Sequence, residues 1–214
     1  MSILNAFVYD DHALVGVDTE AMLADGSTQQ VCKLIVAPQL SAVAGFRGLD
    51  YLQMVIAPAI TGFKGTFDQM AEHMPANLEH AIKHCQEQFG AEGDSLVFDV
   101  VLVGWSESAQ KMTGHAFIRK AGSDEIEAFH GHPTYIAPLV DMDEARRMGI
   151  SGDRAGMATL ALHQCQLIRR EAPESSGGGR FFIAEARRNS ISINQAFEFP
   201  PRSSEKAEEE RRNG

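Results

Sequence analysis

The chain has little cysteine, a deficit of cationic charge and no long apolar run, and each of these excludes a class of protein. Three cysteines are an odd number and lie in apolar or helical contexts, which favours reduced thiols in a cytoplasm over a disulfide framework. With 19 Lys and Arg against 29 Asp and Glu the net charge is −10, so sequence-independent binding of nucleic acid is not expected. No apolar run approaches the roughly 20 residues that a membrane span needs, and no basic region precedes a long apolar one as in a signal peptide.

What is present fits one globular domain. The 214 residues, 44% of them hydrophobic, suffice for a sizeable core. Residues 1–199 are predicted to form this domain. The segment 200–214 has almost nothing apolar and is predicted to be a disordered tail, with partner binding by the tail left open.

Three polar residues, Ser2, Asp18 and Lys33, lie at the ends of short apolar runs near the N-terminus. These runs predict strands of an antiparallel sheet: Ile3 to Val8, Ala13 to Val17, Leu34 to Val36 and Leu40 to Ala44. An acid and a lysine are costly to bury at such strand ends unless they are paired. We therefore expect the three side chains to meet.

Ser2 combines two functional groups if Met1 is removed, as a small second residue normally permits. Its α-amine, with an ordinary pKa of about 7.7–8.0, is partly neutral near pH 7. The amine can then accept the proton of its own hydroxyl as a general base. A nearby Lys33 ammonium would lower the pKa of the amine, and Asp18 would orient the lysine. The N–H of Gly45, in a turn after the fourth strand, would donate to an oxyanion.

The rest of the chain alternates between helical and strand patterns. Helical spacing begins at Leu49, a second helix is predicted to start at Pro75, a short one covers Asp143 to Met148, and the longest starts after an Asp153 N-cap. Strands are predicted at Leu96 to Trp105, Gly114 to Arg119, Glu125 to Phe129, Phe181 to Glu185 and Ser190 to Ile193. Periodicity alone therefore predicts an α+β fold.

No metal or cofactor is expected. His80 and His84 lie four apart on a helix but lack the His-Glu-x-x-His pattern, which favours a solvated helix face. His130 and His132 leave a metal-binding or cleft-lining role open. The Gly-rich run from Ser175 to Gly179 lacks the Lys-Ser/Thr of a phosphate loop and is interpreted as a flexible turn.

The motifs, taken together, resemble the β-subunits of the proteasome and their bacterial relatives, within the N-terminal nucleophile hydrolases. The resemblance covers residues 2–195 and rests on these segments: Val15-Gly16-Val17-Asp18-Thr19, Cys32-Lys33-Leu34-Ile35-Val36-Ala37-Pro38, Ala44-Gly45, Leu102-Val103-Gly104-Trp105-Ser106, Arg170-Glu171 and Ser175-Ser176-Gly177-Gly178. The chain departs from the family's pattern in three respects. The nucleophile is serine instead of threonine, Glu171 replaces an aspartate, and Gly131-His132-Pro133 replaces a Gly-Ser-Gly loop.

The resemblance implies a four-layer αββα sandwich, with two antiparallel sheets between helix layers. It also implies hydrolysis of a peptide or amide bond by Ser2, assisted by Asp18, Lys33 and the Gly45 amide, with Glu171 and Ser176 in support. Relatives form rings or open spirals, so a homo-oligomer is expected, with the apolar helices around Leu52 and Leu78 as contacts. Two alternatives stay open: a non-catalytic assembly subunit whose Ser2 is blocked or whose Met1 is retained, and an amidase acting on a small molecule.

Overall fold

A computed structural model describes residues 2–22, 26–48, 50–90, 96–147, 149–172, 175 and 177–201. Over these residues the chain forms two five-stranded antiparallel sheets, a separate two-stranded hairpin and helices that cover the outer face of each large sheet. This is the α+β sandwich that the sequence predicts, so the fold class is confirmed.

The first sheet has the order β10-β1-β2-β11-β12, in which every neighbouring pair is antiparallel. Its strands are β1 Leu4–Val8, β2 His12–Asp18, β10 Thr134–Ala137, β11 Arg180–Arg187 and β12 Ser190–Glu198. Strands from both ends of the sequence therefore lie side by side. The end of β2 lies opposite the start of β11, with Asp18 paired to Phe181.

The second sheet has the order β5-β6-β7-β8-β9 and is a meander of antiparallel neighbours. Its strands are β5 Leu34–Ala37, β6 Ala42–Gly48, β7 Phe98–Ser106, β8 Lys111–Arg119 and β9 Glu127–His130. A short 3-10 turn, Pro38–Leu40, joins β5 to β6. The small hairpin β3 Glu20–Met22 and β4 Thr28–Gln30 connects the two sheets.

Four α-helices are described. They are α1 Asp50–Thr61, α2 Phe67–Phe89, α3 Met142–Arg147 and α4 Arg154–Glu171. None of the helices in the described part of the chain is long and apolar enough to cross a lipid bilayer.

The apolar residues form three layers, and their order defines the sandwich. One layer packs α1 and α2 against the second sheet and includes Leu52, Leu78 and Phe117. Another packs α3 and α4 against the first sheet. The middle layer lies between the sheets, where Val15 and Val103 are both fully buried. Polar groups between the sheets are therefore shielded from water by apolar side chains.

Several predicted elements are wrong in extent or place. The four N-terminal strands do not share one sheet: β1 and β2 belong to the first sheet, and β5 and β6 to the second. The second helix starts at Phe67 and has Pro75 in its interior, because Thr66 and Gln69 form a capping box ahead of it. This makes α2, and not α4, the longest helix. The hairpin β3–β4 and strand β10 have no counterpart in the prediction.

The other elements lie close to the predicted positions. Asp153 caps α4 through its side chain, which accepts a hydrogen bond from the Gly156 N–H. The three cysteines are free, with Cys85 and Cys165 buried and Cys32 exposed. Phe199 packs into the layer beneath α4, beyond the last strand. Residues 202–214 lie outside the described residues, so the disordered tail stays a prediction.

Candidate active site

The three polar residues singled out near the N-terminus meet between the two sheets. Ser2 lies two residues before the start of β1, Asp18 is the last residue of β2, and Lys33 directly precedes β5. The first sheet therefore supplies the serine and the carboxylate, and the edge of the second sheet supplies the amine. All three are buried, with 5%, 0% and 4% of their surface exposed, respectively.

Their side chains form one hydrogen-bonded cluster. The Ser2 hydroxyl donates to Asp18 Oδ1 over 2.9 Å, and Lys33 Nζ donates to the same oxygen over 2.9 Å. Lys33 Nζ also donates to the Ser2 hydroxyl oxygen. Each side chain of the cluster therefore contacts the other two.

Lys33 has an acceptor for each of its three N–H groups, the third being the carbonyl oxygen of Glu20 at 2.5 Å. An ammonium has three donors and no acceptor, so this set of partners matches the charged form of the lysine. The side chain of Glu20 is itself buried and accepts from the Gly177 N–H over 3.3 Å. Lys33 is thus presented to Ser2 as a fixed cation.

Asp18 is surrounded by donors on both carboxylate oxygens. Besides Ser2 and Lys33, Oδ1 accepts from the Ile3 N–H at 2.9 Å, and Oδ2 accepts from the Gly178 N–H at 3.2 Å. A carboxylate without water is tolerated only when it is paired and hydrogen-bonded in this way. The arrangement therefore holds a buried anion beside the Ser2 hydroxyl.

Ser2 has a further partner on its backbone. Arg47, on β6, donates from Nε to the Ser2 carbonyl oxygen over 2.9 Å, and its Nη1 pairs with Asp99 on β7. Sequence reasoning missed Arg47, Asp99 and Glu20, and it missed the backbone donors of Gly177 and Gly178. A buried charge inside a predicted strand, such as Asp99 in an apolar run, is the one signal that could have drawn attention to them.

Gly45 is not in a turn. It lies inside β6, opposite Leu34 of β5 and Val101 of β7. The Phe46 N–H donates to the Lys33 carbonyl at 3.0 Å, and amides alternate in direction along an antiparallel strand, so the Gly45 N–H points towards β7 and away from Lys33. The turn expected at Gly45 is therefore wrong.

Glu171 and Ser176 are the two residues predicted to support catalysis. Glu171 is the last residue of α4, is exposed, and pairs with its neighbour Arg170 at 3.1 Å. The segment that follows contacts Asp18 through the backbone of Gly178 instead. Ser176 lies outside the described residues.

A cavity of about 300 Å³ lies against Lys33 and is lined by residues of both large sheets and of β4. Its lining is mostly apolar: Val17, Val31, Leu34, Phe182 and Ile193, with Thr19, Gln30, Cys32 and Arg180 among the polar members. A cavity with this lining can accept an apolar group beside the polar cluster.

Two histidines, one of them singled out in the sequence, lie side by side in the structure. His130 lies with its Nδ1 2.8 Å from Nδ1 of His115, whose pKa burial lowers to about 4. His115 also packs against Phe67 at the start of α2. Within the described residues, no group of three or more His, Cys, Asp or Glu side chains has a metal-binding arrangement.

Comparison with known proteins gives a likeness of fold. No family model matches the chain, and no curated protein matches it. A solved structure of the Anbu (Gly-1) mutant from Hyphomicrobium sp. strain MC1 covers 100% of this chain and 96% of its own, with a TM-score of 0.61 and 11% identity. Anbu from Yersinia bercovieri, described as an ancestral beta-subunit, covers 92% of this chain and 87% of its own, with a TM-score of 0.62 and 12% identity.

These comparisons correct the assignment made from the motifs. The motifs of the sequence predict a proteasome β-subunit-like member of the N-terminal nucleophile hydrolases. The absence of a matching family model and the 11% and 12% identities do not support that membership. What the structural neighbours support is a fold shared with these two Anbu structures, at low sequence identity.

Proposed function

We propose that the chain is a hydrolase that cleaves a peptide or amide bond with Ser2, freed of Met1, as its nucleophile. The observation that carries the proposal is the contact of the Ser2 hydroxyl with both the Lys33 ammonium and the Asp18 carboxylate. Burying two opposite charges and a hydroxyl together is costly and adds little to stability, so clusters of this kind favour a functional role.

In the proposed reaction, the neutral α-amine of Ser2 takes the hydroxyl proton as the oxygen attacks the substrate carbonyl carbon. The Lys33 ammonium stabilises the negative charge that develops on the oxygen, and Asp18 keeps the ammonium in place. The tetrahedral intermediate collapses when the protonated α-amine gives its proton to the leaving nitrogen, which leaves an ester on Ser2. The amine then takes a proton from water as the hydroxide adds to the ester carbonyl carbon. The ester C–O bond breaks, the acid product leaves, and the protonated amine returns its proton to the Ser2 oxygen.

Gly48 is a better candidate than Gly45 for the oxyanion donor. Amides alternate along β6, so the Gly48 N–H points to the same side as that of Phe46, beyond Lys33 where β5 begins. The position requires glycine, because φ is +106° and an added Cβ would lie 2.3 Å from the Val97 carbonyl oxygen. A backbone donor fixed in this way needs no reorganisation during the reaction.

The test begins with the intact mass of the expressed protein. A chain that starts at unmodified Ser2 meets the first requirement, whereas retained Met1 or an acetylated Ser2 removes the base and contradicts the proposal. A β-lactone probe should then acylate the wild type at Ser2, and the reaction should be lost in Ser2→Ala and in Lys33→Ala. Lys111→Ala is the matched control, because Lys111 pairs with Asp10 at the surface and should label like the wild type.

A specific observation favours self-assembly as a second property. The helices around Leu52 and Leu78 are the expected subunit contacts, and both leucines are fully buried in the chain's own core, so other residues of these helices would have to make the contact. The outer side of α1 instead exposes Tyr51 by 48% and Met54 by 69%. We propose a cytoplasmic homo-oligomer that buries this side of α1. Met54→Glu should lower the mass measured by light scattering after size-exclusion chromatography. A wild-type protein that already has the mass of a monomer would contradict the proposal.

A further inference from the structure

The peptide group between Ser2 and Ile3 is held at both of its edges. Its carbonyl oxygen accepts from Arg47 Nε at 2.9 Å, and its N–H donates to Asp18 Oδ1 at 2.9 Å. A peptide group is planar, so two hydrogen bonds on opposite edges fix its orientation and the position of the Ser2 Cα. The hydroxyl of Ser2 is thereby held where Lys33 and Asp18 can both reach it.

Arg47 is itself held on the opposite side of its guanidinium. Nη1 pairs with Asp99, which lies directly across from Arg47 on β7. Tyr135, on β10 of the other sheet, lies near this pair, and burial followed by the Asp99 charge raises the pKa of this tyrosine. A planar guanidinium can serve two acceptors at once in a fixed geometry, which a lysine ammonium cannot do as rigidly. Arg47 and Asp99 of the second sheet therefore hold the backbone of Ser2, which precedes the first strand of the other sheet.

We propose that Arg47, supported by Asp99 and Tyr135, is a positioning residue that orients the Ser2 nucleophile through the Ser2 carbonyl. The guanidinium also lies against the carbonyl group of Ser2, the residue that carries the α-amine. A cation near that amine disfavours its protonation. Among the described residues, the charged and titratable groups around Ser2 are then Asp18, Lys33, Arg47, Asp99 and Tyr135, with the buried Glu20 beside Lys33. The effect of Arg47 on the reaction of Ser2 rests on the proposed function. The two hydrogen bonds that hold the Ser2–Ile3 peptide group, which we call the clamp, do not depend on that function.

Two variants separate the charge of Arg47 from its hydrogen bond to the Ser2 carbonyl. Arg47→Gln removes the charge and the hydrogen bond. We expect the rate of Ser2 acylation by the β-lactone probe to fall by about ten-fold or more in this variant, since small misplacements of a nucleophile are costly. The midpoint of its pH–rate profile should also move to higher pH. Arg47→Lys keeps the charge, so its midpoint should stay near that of the wild type while its rate stays low.

The matched control is Arg154→Gln. Arg154 makes a comparable pair with Glu185, with Nε and Nη2 at 3.0 and 2.7 Å from one carboxylate oxygen, on α4 and β11. This variant should keep the wild-type rate and midpoint. Equal losses in Arg47→Gln and Arg154→Gln, or an Arg47→Gln profile identical to that of the wild type, would overturn the inference.

A second measurement decides the clamp if the wild type does not react at all, which would refute the proposed function. Hydrogen exchange of the Ile3 amide, followed by NMR, should be about ten-fold or more faster in Arg47→Gln than in the wild type and in Arg154→Gln. Faster exchange in Arg47→Gln alone supports the clamp. An unchanged exchange rate of the Ile3 amide overturns it, whatever the activity of the protein.

Discussion

Replacing Lys33 by methionine tests how strongly the charge cluster is coupled to the fold. Methionine keeps an unbranched stem of similar length, so the main loss is the ammonium and its three hydrogen bonds. Asp18, which has no exposed surface, would then be a buried carboxylate without a cation. Removing one partner of a buried ion pair costs about 3–5 kcal/mol.

The hydrogen bonds around Asp18 and Glu20 narrow the expected loss of stability in Lys33→Met. Asp18 keeps three donors in the variant, the Ser2 hydroxyl and the N–H groups of Ile3 and Gly178, which favours the lower end. The Glu20 carbonyl oxygen loses the donor at 2.5 Å, which adds about 1 kcal/mol or more. We therefore expect Lys33→Met to lower the free energy of unfolding by about 3–4 kcal/mol.

The assay is urea unfolding followed by circular dichroism, with linear extrapolation to water. Adding Asp18→Asn to Lys33→Met should recover part of the loss, because no uncompensated charge then remains. Lys120→Met is the control, since Lys120 pairs with Glu127 at the surface and its loss should cost under about 1 kcal/mol. The reasoning is refuted if Lys33→Met unfolds within about 1 kcal/mol of the wild type, or if Asp18→Asn recovers nothing.

Three further predictions concern other parts of the molecule. Gln164→Leu breaks a reciprocal amide pair with Asn5, at 2.7 and 3.0 Å, and leaves the buried Asn5 amide unpaired, so urea unfolding should show a loss of about 1–3 kcal/mol. Thr66→Ala removes the N-cap of α2 and should cost about 1 kcal/mol in the same assay; an unchanged midpoint would argue against the cap. Burial lowers the pKa of His115 to about 4, so the unfolded chain takes up a proton on this residue at a higher pH than the folded chain does. The free energy of unfolding should therefore fall as the pH drops from 6.5 towards 4, and His115→Phe should reduce this dependence on pH.

The order of elements is readable from the sequence because their local signals are strong. Alternating apolar positions and turn residues identify β2, β8 and β11, and Asp153 is recognisable as the cap of α4. Where a local signal is ambiguous, the prediction fails. Pro75 is typical of a first helical turn, but the Thr66 capping box starts α2 earlier and the tertiary packing of Met70 and Met74 keeps the helix continuous.

The division of the strands between two sheets could not be predicted from periodicity. A strand's alternation gives its buried face but not the sheet it joins, and β1, β2, β5 and β6 all present apolar faces to the same middle layer. The meeting of Ser2, Asp18 and Lys33 was predicted for a reason that does not depend on this, since buried charges must pair. Arg47 was missed because its partners, the Ser2 carbonyl and Asp99, are defined only by the register of β6 with β7.

The cluster at Ser2 raises the question of why two charges lie in a core that apolar residues already fill. Three apolar layers hold the sandwich together, and a buried ion pair replaced by neutral groups often costs little stability. If the double variant Lys33→Met with Asp18→Asn folds nearly as well as the wild type, the fold does not require the pair, and loss of acylation at Ser2 in the same sample would assign it to the chemistry. If instead the double variant fails to fold, the pair is structural, and the assembly-subunit interpretation becomes the stronger one.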